Sequence, residues 1–405
     1  MNAADTVFII MASALVMFMT PGLALFYAGL TRSKNVLGTI MQSFITLGVV
    51  TLVWILWGYT LAFGTDFGGL IGGFDFFGLR GVGPEPNADL AGNIPHLVFM
   101  IFQCMFAIIT AALITGAFAE RMKFSAFLLF TVLWSTLVYS PLCHWVWGGG
   151  WMGAMGALDF AGGAVVHMSS GSAALAAALV IGKRQGFGQR AFIPHNLPMT
   201  ITGAAILWFG WFGFNAGSAL AADGLAANAF VTTHIATAMA ALGWLLVEKM
   251  HRGNPTTLGA ASGAVAGLVA ITPAAGFVSP MSSLVLGLLA GFICYGGVLL
   301  KERLGYDDSL DVVGIHGLGG IWGALATGLF ASTAVNSGGA DGLFFGNPLQ
   351  FGIQLVSVIA TCAFSFGMTF GILKVVNMVV GLRLEPEEEE QGLDLSQHSE
   401  TGYQF

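Results

Sequence analysis

The sequence predicts an all-α polytopic membrane protein with eleven transmembrane helices, arranged as an inverted five-helix repeat followed by an extra, long C-terminal helix. Three observations lead to this fold class: an apolar composition, a row of long apolar stretches, and a regular distribution of basic residues. Of 405 residues, 56% are hydrophobic and only 9% are charged, whereas soluble domains average about 25% charged residues. Such a chain cannot form an ordinary wetted surface, so we expect it to lie in a lipid bilayer.

Eleven apolar stretches are long enough to cross a hydrocarbon core of about 30 Å. Asn93 and Asn196 precede early prolines and are expected to cap the third and sixth helices. Pro21 and Pro273 fall inside apolar stretches and are expected to kink their helices. The stretches cover about residues 5–30, 37–63, 95–118, 124–145, 160–182, 196–218, 228–248, 257–277, 282–300, 311–332 and 348–382.

The basic residues indicate the orientation of these spans. With the N-terminus outside, only Arg80 of the fourteen Lys and Arg residues falls in an outer loop, as the positive-inside rule requires. Five spans per half force the halves, about 5–182 and 196–332, to be inverted relative to each other. They form, with the final helix at about 348–382, a membrane domain over 1–382.

The remaining segment, 383–405, is interpreted as a cytoplasmic tail. It holds much of the acidic excess behind the net charge of −7, and the membrane body is therefore nearly balanced. This distribution argues against nucleic acid as a partner.

Two aspartate–histidine pairs have the same spacing: Asp159 with His167, and Asp308 with His316. The eight-residue separation corresponds to about 12 Å along a helix, close to half of the hydrocarbon core. Titratable groups inside a bilayer are costly and mark functional sites by default. Because the two spans run in opposite directions, the imidazoles are expected to meet near the midplane and to line a conduction path.

Each of these residues also has a purely structural interpretation. A lone histidine on an apolar span more often makes a helix–helix hydrogen bond, and only the matched spacing favours a pore. Asp159 suits the N-cap of the fifth span, a role compatible with attracting a cation to the outer mouth. Asp308 and Asp311, at the start of the tenth span, are interpreted as structural.

Aromatic residues crowd the outer half of the predicted bundle. Phe102 and Phe106 are four residues apart and share one face of the third helix, and Phe214 and Ser218 do the same on the sixth. Trp147 lies in CHWVWGGGW between the fourth and fifth spans. Singly, such residues would belong to a core or an interfacial belt. Together they could hold a cation between aromatic faces and a hydroxyl acceptor.

Several other classes of function lack their sequence signals. There is no HExxH, no P-loop and no GxGxxG after a strand, so no metal, cofactor or enzymatic activity is predicted. An intramembrane metalloenzyme using His and Asp ligands and a nutrient sensor acting through its tail stay open as alternatives. The first would need closer ligand spacing, and the second would be favoured by a kinase or cyclase domain.

A set of sequence blocks spread over essentially the whole chain resembles the ammonium transporter (Amt/MEP/Rh) family, in its bacterial Amt branch. The blocks are FYAGLTRSKN, GAFAERMKFSA, HWVWGGG, GALDFAGGAVVH, IGKRQGFG, PHNLPM, GWFGFNAGSA, DDSLDVVGIHGLGGI and GLDLSQH. The resemblance implies a transporter of ammonium or ammonia, with methylammonium as an analogue. It also implies a homotrimer in the cell inner membrane, with one pore per subunit and a cytoplasmic C-terminus.

The resemblance further assigns roles to the residues singled out above. His167 and His316 would be the twin histidines of the pore, and Phe106 and Phe214 its stacked gate. Trp147, Phe102 and Ser218 would form the external ammonium site, with Asp159 as the buried acid needed for substrate handling.

The tail resembles the family segment that supports control by a PII-type signal protein. It departs from that segment at Gln391, where Glu is common, and at Ser399, where Gly is common. A Rhesus-like gas channel is the nearest related alternative, and the external aromatic site favours the Amt branch.

Overall fold

A computed structural model describes residues 1–404 and confirms the all-α polytopic fold. Within these residues, ten apolar helices are long enough to cross a membrane and an eleventh is shorter. We call the end with Met1 and loop 64–95 the N-face, and the end with loop 182–196 and residues 383–404 the C-face. The helices are α1 (Ala3–Leu30), α2 (Ser33–Phe63), α3 (His96–Phe118), α4 (Phe124–Trp134, Ser135–Tyr139 and Ser140–Trp147), α5 (Gly163–Ile181), α6 (Leu197–Gly217), α7 (Gly224–Arg252), α8 (Thr257–Ile271), α9 (Pro280–Leu304), α10 (Val313–Phe330) and α11 (Pro348–Val380).

The eighth apolar helix is shorter than the sequence predicts. It ends two residues before Pro273, which therefore lies outside the helix instead of kinking it, whereas Pro21 lies inside α1. Proline has no N–H with which to continue the helical ladder. The carbonyl of Pro273 instead accepts a hydrogen bond from the Phe160 N–H, and that of Ala275 from the Thr232 hydroxyl. Irregular backbone inside a membrane protein is tolerated where its polar groups are satisfied in this way.

The two halves begin their fifth helices alike. α5 opens with a π-helical turn, Gly163–Met168, that contains His167, and α10 with another, Val313–Gly317, that contains His316. A π turn carries an extra residue and frequently marks a functional position. The equivalence of the two turns follows the inverted repeat predicted from five spans per half, in which the two Asp–His pairs occupy equivalent places.

The predicted helix caps are right in one case and wrong in the other. Asn196 does cap α6 through its side chain. Asn93 does not cap α3, which begins at His96. Its amide nitrogen donates instead to Asp5 Oδ2 (2.9 Å) and to the Leu220 carbonyl (2.7 Å). Asn93 therefore ties the N-terminus to the α6–α7 connection.

A buried charge cluster joins four loops at the C-face. Glu120 contacts the guanidinium groups of Arg32 at 3.0 Å and Arg184 at 3.1 Å, and Arg184 contacts Asp307 at 2.8 Å. The Glu120 side chain is only 1% exposed, and that of Asp307 is fully buried. Breaking such a pair leaves an uncompensated buried charge, which costs about 3–5 kcal/mol. The cluster therefore connects the two halves of the repeat.

The tail forms two short helices that lie against this face, α12 (Pro386–Gln391) and α13 (Leu393–His398). Arg383 pairs with the buried Glu389 at 2.7 Å. The Leu393 N–H donates to Asn35 Oδ1, and the Gly38 N–H donates to Asp394 Oδ1, both at 2.8 Å. The tail thereby caps the first turn of α2.

Candidate functional site

The two histidines meet in the interior of the bundle. Nδ1 of His167 lies 3.2 Å from Nδ1 of His316, and their ring centroids are 5.3 Å apart. Both residues are buried. A single proton fits between the two nitrogens, so one ring donates while the other accepts. The structure thus brings the imidazoles together as their spacing predicts, and their role in a pore stays a prediction.

A narrow cavity of about 10 Å³ adjoins the pair. This volume has room for roughly one water-sized molecule. Apart from the two histidines its lining is apolar or aromatic: Met19, Leu23, Ile109, Leu113, Val166, Leu207, Trp211, Phe214 and Val265. Nε2 of His167 has no hydrogen-bond partner within residues 1–404. A polar molecule in this lumen would therefore find few partners other than the imidazoles.

Phe106 and Phe214 separate this lumen from a larger cavity. Their ring centroids are 4.2 Å apart, the planes are inclined by 36°, and both side chains are buried. Phe106 lines the larger cavity and Phe214 lines the lumen. The two contacting rings thus lie where the linings of the two cavities meet, and their role as a gate stays a prediction.

The larger cavity, which we call the vestibule, opens at the N-face and has a volume of about 310 Å³. Its lining includes Phe102, Phe106, Trp147 and Ser218. The Trp147 ring stands edge-on to Phe106, with centroids 5.9 Å apart. The Ser218 hydroxyl donates to the Phe214 carbonyl at 2.8 Å, so its oxygen still has lone pairs with which to accept. The sequence-predicted recruitment residues thus share one cavity.

Asp159 takes the N-cap position that the sequence predicts. The residue as a whole is partly exposed, and it is not among the residues that line the vestibule. Its backbone carbonyl accepts a hydrogen bond from Trp147 Nε1 at 2.9 Å. The carboxylate accepts four backbone N–H groups, from Gly162, Gly163, Ala164 and Val165. Asp159 therefore caps α5 and orients Trp147.

Asp308 has the corresponding role in the second half. Its Oδ2 accepts the Val313 N–H at 2.7 Å, and the side chain is fully buried. A carboxylate at the first turn of a helix satisfies free N–H groups and complements the helix dipole. This agrees with the structural interpretation of Asp308.

The sequence reasoning missed Trp211. Its ring stacks on His167, with centroids 5.4 Å apart and an angle of 20°. Its indole nitrogen donates to the Thr272 hydroxyl at 2.9 Å, which fixes the ring. Trp211 precedes Phe214 by three residues, so the helical period that groups Phe214 with Ser218 could have included it.

Comparison with known proteins agrees with this geometry. The profile of the Ammonium Transporter Family matches residues 7–403. The "Ammonium transporter" of Bacillus subtilis is 56% identical over 405 residues, covering 100% of this chain and 99% of that protein. The "Ammonium transporter Amt1" of Archaeoglobus fulgidus is 49% identical over 403 residues and covers 100% of both. These relatives are named as transporters, not as enzymes.

Solved structures show the same fold. Candida albicans Mep2 superposes with a TM-score of 0.90 at 38% identity, covering 96% of this chain and 88% of Mep2. A structure titled "Sensor Amt Protein" has a TM-score of 0.88 at 31% identity and covers 98% of both chains. The protein is therefore a multi-pass membrane protein, and it belongs to the ammonium transporter family.

Proposed function

We propose that the protein transports ammonium across the cell inner membrane by binding the ion, removing a proton and conducting neutral ammonia. The observation that carries this proposal is the pair of contacting imidazoles in a narrow apolar lumen behind two closed phenylalanines. The names of the family and of the relatives support ammonium as the substrate.

The N-face is the outer side in this proposal. Thirteen of the fourteen basic residues then lie on the cytoplasmic side, in agreement with the positive-inside rule. The vestibule consequently opens to the outside, and the tail lies in the cytoplasm.

Ammonium is recruited in the vestibule. Trp147, Phe102 and Phe106 offer aromatic surfaces to the cation. Ser218 offers a hydroxyl oxygen that its own hydrogen bond to Phe214 leaves able to accept. The Asp159 carboxylate, through its position at the start of α5, adds negative charge on this side of the bundle.

Deprotonation follows at the phenylalanine gate. The idealised desolvation cost of an ion in a low-dielectric lumen is about 20 kcal/mol, whereas a neutral polar group without a hydrogen bond costs about 1–3 kcal/mol in protein mutational data. His167 and His316 lower the cost for ammonia, because they supply a donor and an acceptor along the path. The proton either returns to water in the vestibule, which makes the net transport that of ammonia, or passes along the two histidines, which makes it electrogenic. Ammonia takes up a proton from cytoplasmic water in the first case and the transferred proton in the second.

This route explains selectivity against potassium. K⁺ has the same charge as ammonium and a similar size, but it has no proton to lose. The neutral route is therefore closed to it. A Rhesus-like gas channel would share the lumen, but the aromatic vestibule favours recruitment of a cation.

Uptake into liposomes tests this proposal. Purified protein should take up radiolabelled methylammonium, ammonium should inhibit the uptake, and an equal concentration of K⁺ should not. Protein-free liposomes are the control. Equal inhibition by ammonium and K⁺ would contradict the proposed selectivity.

We also propose that the protein forms a homotrimer. His234 is exposed on α7, in an apolar groove that it shares with Trp208 and Phe230. Polar groups on an apolar span are costly unless they are covered, and a second copy would cover them. Native mass spectrometry of the detergent-solubilised protein should give three chains per particle, and a monomer would contradict this assembly.

Regulation through the tail is a separate proposal. Residues 383–404 contact the start of α2 through Leu393 and the α5–α6 loop, which joins the two halves, through Glu389. A PII-type signal protein could reach the pore at this face. The solved structure titled "Sensor Amt Protein" favours a second candidate function, an ammonium sensor. Ammonium binding without methylammonium uptake would favour the sensor. Equal PII binding by the full chain and by a chain ending at residue 382 would contradict the role of the tail.

A further inference from the structure

The last turn of α4 contains a buried histidine, His144, that the mechanism above does not use. Its Nδ1 lies 2.9 Å from the Ala62 carbonyl oxygen, and its Nε2 lies 2.9 Å from Asp66 Oδ1. The His144 side chain is 0% exposed, whereas that of Asp66 is 43% exposed. The pair is therefore buried at one end and reachable from the N-face at the other.

The partners of His144 define its protonation. A carbonyl oxygen only accepts hydrogen bonds, so Nδ1 carries a hydrogen. An ionised carboxylate also only accepts, so Nε2 carries a second hydrogen. With both nitrogens protonated the ring is an imidazolium, and it forms an ion pair with Asp66.

The surroundings favour this positive charge. Ala62 lies in the last turn of α2, and His144 lies in the last turn of α4. The carbonyl groups at a helix C-terminus lack helical partners and favour a cation. The hydrogen bond from His144 lowers the pKa of the Asp66 carboxyl, which is consistent with an ionised partner.

The pair also joins the loop after α2 to the turn that carries the vestibule residue Trp147. Trp147 follows His144 by three residues, and the N–H groups of Gly148 and Gly150 both donate to the His144 carbonyl. Asp66 Oδ1 accepts the Gly69 N–H as well. The β1–β2 hairpin, formed by Asp66–Phe67 and Ile71–Gly72, is thereby fixed to the turn that carries Trp147.

We propose that the His144–Asp66 ion pair is a proton-dependent clamp that positions Trp147 for ammonium recruitment. This inference rests on the proposed function of Trp147. His144 acts here as a positioning residue, because it does not line the vestibule. A ring with only one of its two hydrogens makes only one of the two bonds, which weakens recruitment.

The other ionisable groups on the elements packed around this turn have different partners. The Tyr59 hydroxyl is bonded to His96, and the Asp75 carboxylate accepts the Thr65 N–H. Asp159 accepts the four N–H groups described above, and His167 is paired with His316. Cys143 and Tyr139 are fully buried on α4 itself. Asp66 is thus the carboxylate that contacts the His144 ring.

Two substitutions of Asp66 separate the charge from the hydrogen bond. In Asp66→Asn an amide nitrogen in the place of Oδ1 can donate to an unprotonated Nε2, so a neutral ring keeps both of its own bonds while the Gly69 N–H loses its acceptor. In Asp66→Ala the bond is lost at every pH. Asp75→Asn is the matched control, because it alters a carboxylate of the same loop that has no histidine partner.

The measured quantity is the concentration of methylammonium ion, the charged form, that gives half-maximal uptake. The clamp predicts three different dependences of this concentration on pH. In the wild type and in Asp75→Asn this concentration should rise about tenfold between about pH 6 and about pH 9. Asp66→Asn should show a flat profile at the low value, and Asp66→Ala a value about tenfold higher throughout. A wild-type profile in Asp66→Asn would overturn the proposal.

A spectroscopic measurement tests the clamp independently. It needs no uptake assay and no variant at Asp66. Nitrogen NMR of the wild-type protein with labelled histidine, assigned by difference from His144→Gln, should show both ring nitrogens of His144 protonated at about pH 6. One unprotonated nitrogen at that pH would overturn the proposal. Since this readout does not depend on uptake, it separates failure of the clamp from failure of the transport function.

Discussion

Gly171 and Gly317 are in backbone contact where α5 crosses α10. A Cβ built on Gly171 would overlap the Cα and N atoms of Gly317. Gly171 follows His167 by four residues, and Gly317 directly follows His316. Small residues allow two helices in a membrane protein to approach this closely. The contact of the two imidazoles therefore depends on the absence of side chains at this crossing.

Substituting Gly171 by alanine should push the two helices apart. Overpacking against backbone costs about 1–3 kcal/mol, so Gly171→Ala should lower the thermal unfolding midpoint in detergent and reduce methylammonium uptake. Gly352→Ala on α11 is the control, because a Cβ there meets no atom within 4 Å. An unchanged midpoint and unchanged uptake in Gly171→Ala would show that the close crossing is dispensable.

The vestibule residues should determine apparent affinity more than maximal rate. Trp147→Leu removes an aromatic face, and Ser218→Ala removes a hydroxyl acceptor; each contact contributes about 1 kcal/mol. Each variant should therefore raise the half-saturating methylammonium concentration roughly fivefold. Trp57→Leu, whose indole bonds to Thr136 away from the vestibule, should leave it unchanged. Normal uptake kinetics in both vestibule variants would count against this recruitment site.

The C-face charge cluster should make stability depend on pH in the acid range. Burial opposes ionisation of Glu120, but the charges of Arg184 and Arg32 outweigh it, so its pKa lies below the ordinary value of 4.5. Burial likewise opposes ionisation of Asp307, but the hydrogen bonds of Arg184 and the charges of Arg121 and Arg184 lower its pKa. A lowered carboxyl pKa stabilises the fold above the unfolded value, and this contribution is lost as the pH falls through the folded value.

Glu120→Gln should consequently destabilise the protein by about 3 kcal/mol at neutral pH, with a smaller difference from the wild type below about pH 4. The thermal midpoint measured over this range checks the expectation. Glu302→Gln, at an exposed position of α9, is the control. A difference between wild type and Glu120→Gln that does not vary with pH would contradict the assigned ionisation.

Features that follow from chain periodicity could be predicted from the sequence. The matched Asp–His spacing anticipated that His167 and His316 would meet, but the predicted reason is wrong, because helix begins only at Gly163 and Val313 and does not cover all eight residues. The four-residue spacing anticipated that Phe214 and Ser218 would share a face. The vestibule itself depends on helices distant in the chain, so the sequence groups Trp147 with Phe102 only by its place in the outer half of the bundle, and only the family resemblance assigns it to an ammonium site.

Other features depend on tertiary contacts that no local pattern records. α8 ends before Pro273 because the backbone carbonyl groups of the irregular segment that follows can accept hydrogen bonds from other helices. The Thr232 hydroxyl on α7, for example, donates to the Ala275 carbonyl. Asn93 resembles a helix cap, but Asp5 and the Leu220 carbonyl compete successfully for its amide. The π turns around the histidines likewise have no signal in the sequence.

The central claim is that nitrogen crosses the lumen only as a neutral molecule guided by His167 and His316. The most direct test compares uptake of radiolabelled methylammonium and rubidium, a potassium substitute, into liposomes containing the wild type or the His167→Ala/His316→Ala double variant. His251→Ala, which alters a histidine bonded to Tyr295, is the control. The account predicts that the ratio of methylammonium to rubidium uptake falls at least about tenfold in the double variant. An unchanged ratio with unchanged methylammonium uptake would contradict it.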